Sequence, residues 1–270
     1  MKNDGIISLS NQLADCKISL FGGNIISYKP KHQKNDVFWL GDYNKFDNIQ
    51  AIRGGVPVCW PRFAEEKLND HFPRHGFARL SEWKLQKVNI DEHKIETELL
   101  LIPDSKFNLD ITAKLNIKIT DKLEYSLITT NNGNTEFNFS EALHTYFNVS
   151  NRDDIILRGF DGQQYRSSID KNLYTVQKDL QIKEEFDGAF INHTQDVAII
   201  DEKYNRIISI HKQGSNSTVV WNPNKDLAEM SEGQYKKFIC VEPANQGNLY
   251  VTLASKETHI ISMTISVKQL

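Results

Sequence analysis

The chain has 270 residues, 39% hydrophobic and 25% charged, with a formal net charge of -3. This is an ordinary globular composition, large enough for a substantial core and expected to form one domain over 1–270. The acidic balance argues against a nucleic-acid partner, so any bound anion must be held by a local cluster of cations. There is no run of about 18 apolar residues to enter a membrane, and residues 1–8 lack the apolar core of a signal peptide; a cytoplasmic protein is expected.

Helical periodicity is nearly absent and period-two alternation recurs instead. In chain order, strands are expected at 16–21, 25–29, 36–40, 81–90 and 94–102. One long strand is expected over 107–119, where Phe107, Leu109, Ile111, Ala113, Leu115, Ile117 and Ile119 alternate with polar residues. Thr120-Asp121-Lys122 turns the chain into a hairpin partner through Leu123, Tyr125 and Leu127. Asn131-Asn132-Gly133-Asn134 supplies the next turn. Further strands are expected at 137–147, 155–158, 196–201, 206–212, 217–221, 237–242, 249–254 and 259–267. Many short strands separated by turns predict an all-β fold, a large antiparallel β-sandwich. The irregular stretches 41–80, 159–180 and 222–236 are where site loops are expected. Cys16, Cys59 and Cys240 follow no zinc or Cys-x-x-Cys spacing and read as buried free thiols of a reducing compartment.

Four segments carry residue types suited to chemistry. Residues 51–63 hold Arg53 before a Gly-Gly pair and two prolines, which predicts a shaped loop or sheet edge. Residues 73–79 place His75 beside a glycine, flanked by Arg74 and Arg79. In 138–147, alternation puts Phe139, Leu143 and Phe147 on one side and His144 on the other, with Asn138, Ser140, Ala142 and Tyr146; a histidine there can do proton work. Glu242 ends an apolar run, where a lone carboxylate is costly unless paired or functional. Each residue also has a plain structural reading. His144 can be a hydrogen-bonded strand histidine, Glu242 an arginine's partner, His75 a turn residue and the arginines solvated charges.

In this order along the chain, Ile52–Pro61, His75–Arg79, Ala142–Phe147 and Val241–Asn245 resemble the aldose 1-epimerase (mutarotase) superfamily. They are most similar to its glucose-6-phosphate 1-epimerase, or hexose-6-phosphate mutarotase, branch. The resemblance implies a galactose mutarotase-like supersandwich, acting on a small sugar phosphate with no metal or cofactor; a monomer is expected. It implies α/β anomer interconversion by ring opening, with Glu242 as base and His144 as acid on opposite sides of the sugar. His75 would hold hydroxyls or the ring oxygen, and Asp187 would accept from hydroxyls. Arg53 and Arg79 would grip the 6-phosphate, with Arg74 and Arg62 able to join them, and Trp60 or Tyr146 could face the pyranose. Gly188 stands where the family has arginine, and the second tryptophan usual after Pro223 is missing; both departures bear on substrate more than on reaction. The alternatives are a mutarotase for unphosphorylated aldoses and a non-catalytic sugar-phosphate binding module, though the latter would need neither His144 nor Glu242.

Overall fold

Ile111–Ile119 buries every odd-numbered residue and leaves those between half-buried or exposed, the pattern of a strand with one greasy face. It pairs in register with Leu123–Asn131, which buries its odd positions in the same way. This computed structural model describes residues 5–64, 72–102, 106–107 and 109–270. The hairpin sits in an eight-stranded antiparallel sheet that runs from Ile156–Arg158 through Val197–Asp201, Arg206–Gln213 and Thr258–Lys268 to the hairpin, then Ile95–Leu101 and Trp83–Ile90. A second sheet of eight runs through Leu173–Thr175, Gln164–Ser167, Phe186–Ile191, Ser217–Asn222, Phe238–Asn245, Glu141–Leu143 and Val58–Cys59; Tyr146–Asn148 also pairs with Phe238–Asn245. Leu115, Leu127, Ile261 and Ile265 from the first sheet share one core with Phe190, Val220, Ile239 and Val241 from the second. Burying each such side chain contributes about 1.5–3 kcal/mol. A three-stranded sheet over Ile6–Ser10, Ala14–Ser19 and Asn24–Pro30 joins this core through Ile18, Ile25 and Tyr28.

The sandwich expected from alternation is therefore present, and the only helices among the described residues are short 3-10 turns. None is long and apolar enough to cross a membrane. The three cysteines are buried free thiols. Several boundaries differ from expectation. The strand expected over 107–119 begins at Ile111, since Phe107 lies in a turn and residue 108 falls outside the described residues. Residues 36–40 form only isolated bridges at Phe38 and Leu40. Ile6–Ser10, Gln164–Ser167, Leu173–Thr175 and Phe186–Ile191 are strands that alternation does not predict. The single strand expected over 137–147 is three pieces, Phe137–Phe139, Glu141–Leu143 and Tyr146–Asn148. The second break is tight: Thr145 N–H donates to the Leu143 carbonyl at 2.8 Å, and His144 N–H reaches the Pro57 carbonyl at 3.0 Å. Parity survives both breaks. Leu143 and Phe147 enter the main core, while Ala142 and Tyr146 belong to clusters on the sheet's other face.

That outer face positions the site. Along Phe238–Asn245, Ile239 and Val241 point into the core between the sheets, and Cys240 and Ala244 belong to the outer clusters. All eight residues are nevertheless buried, because loops cover the outer face as well.

Candidate active site

Antiparallel register builds the site floor. Asp187 lies opposite Trp221, Trp221 opposite Cys240, and Cys240 opposite Tyr146. The next row runs Ala189, Val219, Glu242. His144 falls between the pairs Ala142–Ala244 and Tyr146–Cys240, which sets it beside Glu242. The His144 Nδ1 is 3.3 Å from the Glu242 Oε1. The two are misaligned for a hydrogen bond, and His144 Nδ1 and Glu242 Oε2 have no partner among the described residues. Buried polar atoms rarely stay unpaired without a reason. The imidazole is held firmly: it stacks on Tyr146, with centroids 4.9 Å apart and planes 9° from parallel, and meets Trp221 and His75 edge-on.

Burial pushes the Glu242 carboxyl well above its usual pKa, and the Asp187 charge adds to this. Burial pushes His144 well below the usual imidazole value, helped by His75, Arg79 and Arg53. Burial thus pushes both partners toward their neutral forms despite the ion-pair distance.

The remaining residues come from loops. Gly54 and Gly55 have φ of 110° and 68°, and a Cβ on either would stand 2.4 Å from the carbonyl oxygen of Trp39 or Ile25. Only glycines can thread there, and they carry Arg53 to the groove. Its Nε donates to Glu229 Oε2 at 3.2 Å and its Nη1 to the Tyr146 hydroxyl at 3.1 Å. His75 and Gly76 both have positive φ, at 63° and 70°, and Gly76 bridges to Trp60. The Ala64 N–H donates to His75 Nδ1 at 3.2 Å. Burial and then Arg79, Arg74 and Arg53 lower the His75 pKa to about 3. Its neutral ring therefore carries the proton on Nε2. Arg79 Nη2 donates to the Arg74 carbonyl at 3.1 Å, while the buried Arg79 Nε has no hydrogen-bond partner among the described residues. Burial raises the Asp187 pKa, opposed by Ser168 and Lys171.

One groove of about 540 Å³ is lined by all seven residues singled out from the sequence: His144, Glu242, Arg53, His75, Arg79, Asp187 and Arg74. Arg62 is not among its lining residues and donates to the Phe72 carbonyl at 2.9 Å. Trp60, expected as a sugar platform, is instead buried in the core against Phe77 and Phe139. Tyr146 lies under His144 rather than on the groove wall. Trp221 lines the groove in their place, together with Lys171, Ser168 and Gln246. The sequence shows Trp221 as an aromatic on a strand face, whereas the other three are single polar residues outside the strands and carry no signal.

Comparison with known proteins bears on this arrangement. A family model described as aldose 1-epimerase matches residues 5–266. A protein of Haemophilus influenzae, provisionally named glucose-6-phosphate 1-epimerase, is 34% identical over 216 residues, covering 80% of this chain and 75% of its own. An Escherichia coli protein of the same provisional name is 30% identical over 266 residues, covering 94% and 88%. The crystal structure of a provisionally named mutarotase from Salmonella typhimurium superimposes with a TM-score of 0.90 at 25% identity, covering 98% of this chain and 90% of that one.

Proposed function

The chain belongs to the aldose 1-epimerase family, and from that premise we propose that it interconverts the α and β anomers of hexose 6-phosphates, chiefly glucose 6-phosphate. The observation that carries this reading is the contact of His144 with Glu242 in a groove also lined by Arg53, Arg74 and Arg79. The provisional names of its relatives support the same substrate.

Glu242 takes the proton from the C1 hydroxyl; the electron pair forms the C1 carbonyl, the bond from C1 to the ring oxygen breaks, and His144 protonates that oxygen. Rotation about C1–C2 and the reverse steps close the other anomer. The two exchanging oxygens are both bonded to C1, so neighbouring groups on one sheet face can serve both. That geometry replaces the expectation of an acid and a base on opposite sides of the sugar. A raised pKa makes the Glu242 carboxylate a stronger base near neutral pH. A phosphate beside Arg53 and Arg79 offsets the charges that lower the His144 pKa, which favours the imidazolium the step needs. His75 Nε2–H donates to a hydroxyl or the ring oxygen, Asp187 accepts from hydroxyls, and Trp221 offers a ring face. The guanidinium groups match phosphate oxygens in planar, bidentate fashion.

The main core is one continuous cluster, which supports a single domain; we take the protein to act as a monomer in the cytoplasm, where buried free thiols are ordinary. The test is anomer exchange followed by NMR or polarimetry with glucose 6-phosphate and with glucose, in the presence of a chelator. Acceleration with the phosphorylated sugar is expected, and equal rates for both sugars would transfer the assignment to free aldoses.

A further inference from the structure

His144, Cys240 and Glu242 are a donor set that acid–base chemistry does not fully use. Cys240 and Glu242 stand two residues apart on one strand and share its outward face, and register places His144 beside them. One ligand atom from each (a ring nitrogen, the thiol sulfur and a carboxylate oxygen) lies within 4.8 Å of the others. In a tetrahedral zinc site with bonds of about 2.0–2.3 Å, donors stand roughly 3.3–3.8 Å apart. The three therefore need to close by only about 1 Å, within the reach of rotamer adjustment around an ion. Cys240 is fully buried, but its neighbours His144 and Glu242 line the open groove, which gives the ion an entry path.

We propose that His144, Cys240 and Glu242 form a site for a thiophilic divalent cation, zinc, whose binding displaces the sugar and silences the groove. A thiolate, a carboxylate and a neutral imidazole cancel the two positive charges, as a buried ion requires. The thiol and carboxyl protons leave to solvent as the bonds form. One sulfur, one nitrogen and one oxygen donor suit zinc and exclude magnesium and calcium, which demand six or more oxygens. Three protein ligands leave the fourth tetrahedral position facing the groove, to be filled by water. Arg53, Arg79 and Arg74 line the same groove and repel a cation held by charge alone, so the thiolate decides the selectivity. The silencing rests on the roles proposed above for His144 and Glu242; the binding site does not.

The experiment uses the full chain freed of metal with a chelator. Zinc should inhibit glucose 6-phosphate anomerisation reversibly, with activity restored by chelator, and excess magnesium should have no effect. Cobalt(II), added alone, should produce a thiolate-to-cobalt absorption band that zinc bleaches. In Cys240→Ser the band should vanish, and half-inhibition should need at least about 100-fold more zinc relative to the variant's own metal-free rate, since losing even an outer partner of a ligand costs 10–100-fold in affinity. Should Cys240→Ser fold poorly, Cys240→Ala and the parent's cobalt spectrum test the same ligand. A parent without the thiolate band, or a variant as zinc-sensitive as the parent, overturns the proposal. A metal-free parent inactive on both sugars would remove the proposed function, and the cobalt spectrum would still decide the metal site.

Discussion

Glu242 and His144 are recognisable in the sequence by residue type and position on a strand, but their partnership is not. It is made by cross-strand register between segments distant in the chain. Glu242→Gln keeps the shape of the side chain and removes the proposed base, so kcat on glucose 6-phosphate should fall by about 10²–10⁴-fold with KM little changed, read by polarimetry. The same substitution should raise thermal stability, because the folded protein holds the Glu242 proton more tightly than the unfolded chain does. Between the usual value of 4.5 and the raised folded value, the native state binds the extra proton, so parental stability falls as pH rises through that window. The variant lacks this slope, and its Tm advantage should grow from acid toward neutral pH; an advantage that is flat with pH would reject the assigned shift. Among the arginines, Arg53 is already engaged by Glu229 and Tyr146, so Arg79→Ala is the cleaner probe of the phosphate. Charge-assisted bonds contribute about 1.5–3 kcal/mol, so its kcat/KM on glucose 6-phosphate should drop roughly 10- to 100-fold. Its rate on free glucose should not fall, since losing this cation lets the His144 pKa rise.

At the scale of elements, alternation finds the strands that bury one face and misses those that do not. Leu173–Thr175 is exposed throughout, an edge strand with no greasy face to announce it. Phe186–Ile191 carries Gly188 and Asp187, residues that weaken a strand signal, and so the strand presenting Asp187 is hidden. The break at His144 is equally invisible, since it depends on the Pro57 carbonyl lying alongside. All three irregular stretches contribute to the groove, through Arg53, His75 and Arg79, through Ser168 and Lys171, and through Leu227. The turn at His75 and Gly76 is the most tightly specified of these loops. A Cβ on Gly76 would come within 2.1 Å of the Trp60 carbonyl oxygen, at a φ of 70°. Gly76→Ala should therefore cost about 1–3 kcal/mol or more, lowering Tm by several degrees in a scanning experiment. It should also depress activity by moving the His75 donor. A variant with parental Tm would show that the turn yields freely.

For the whole molecule, the informative quantity is where charge lies rather than its sum. The chain carries a net charge of -3, yet its groove is lined by Arg53, Arg74, Arg79 and Lys171 against Asp187 and Glu242. With burial opposing the charge on Glu242, the groove presents a positive field on an acidic body, the arrangement that attracts a dianion locally while the remaining surface repels it. Glucose 6-phosphate carries about -2 near neutral pH, and screening at 0.15 M salt acts over about 8 Å, comparable to the groove itself. Raising ionic strength from about 0.01 to 0.3 M should therefore lower kcat/KM for glucose 6-phosphate progressively. The rate on free glucose, a neutral molecule, should stay level and so control for salt effects on the fold. Arg79→Ala should flatten the phosphorylated-sugar dependence toward that of glucose, since the lost cation is part of the field. Parallel salt curves for the two sugars in the parent protein would show that the cations hold the loops together rather than the substrate, and the free-aldose reading would then take precedence.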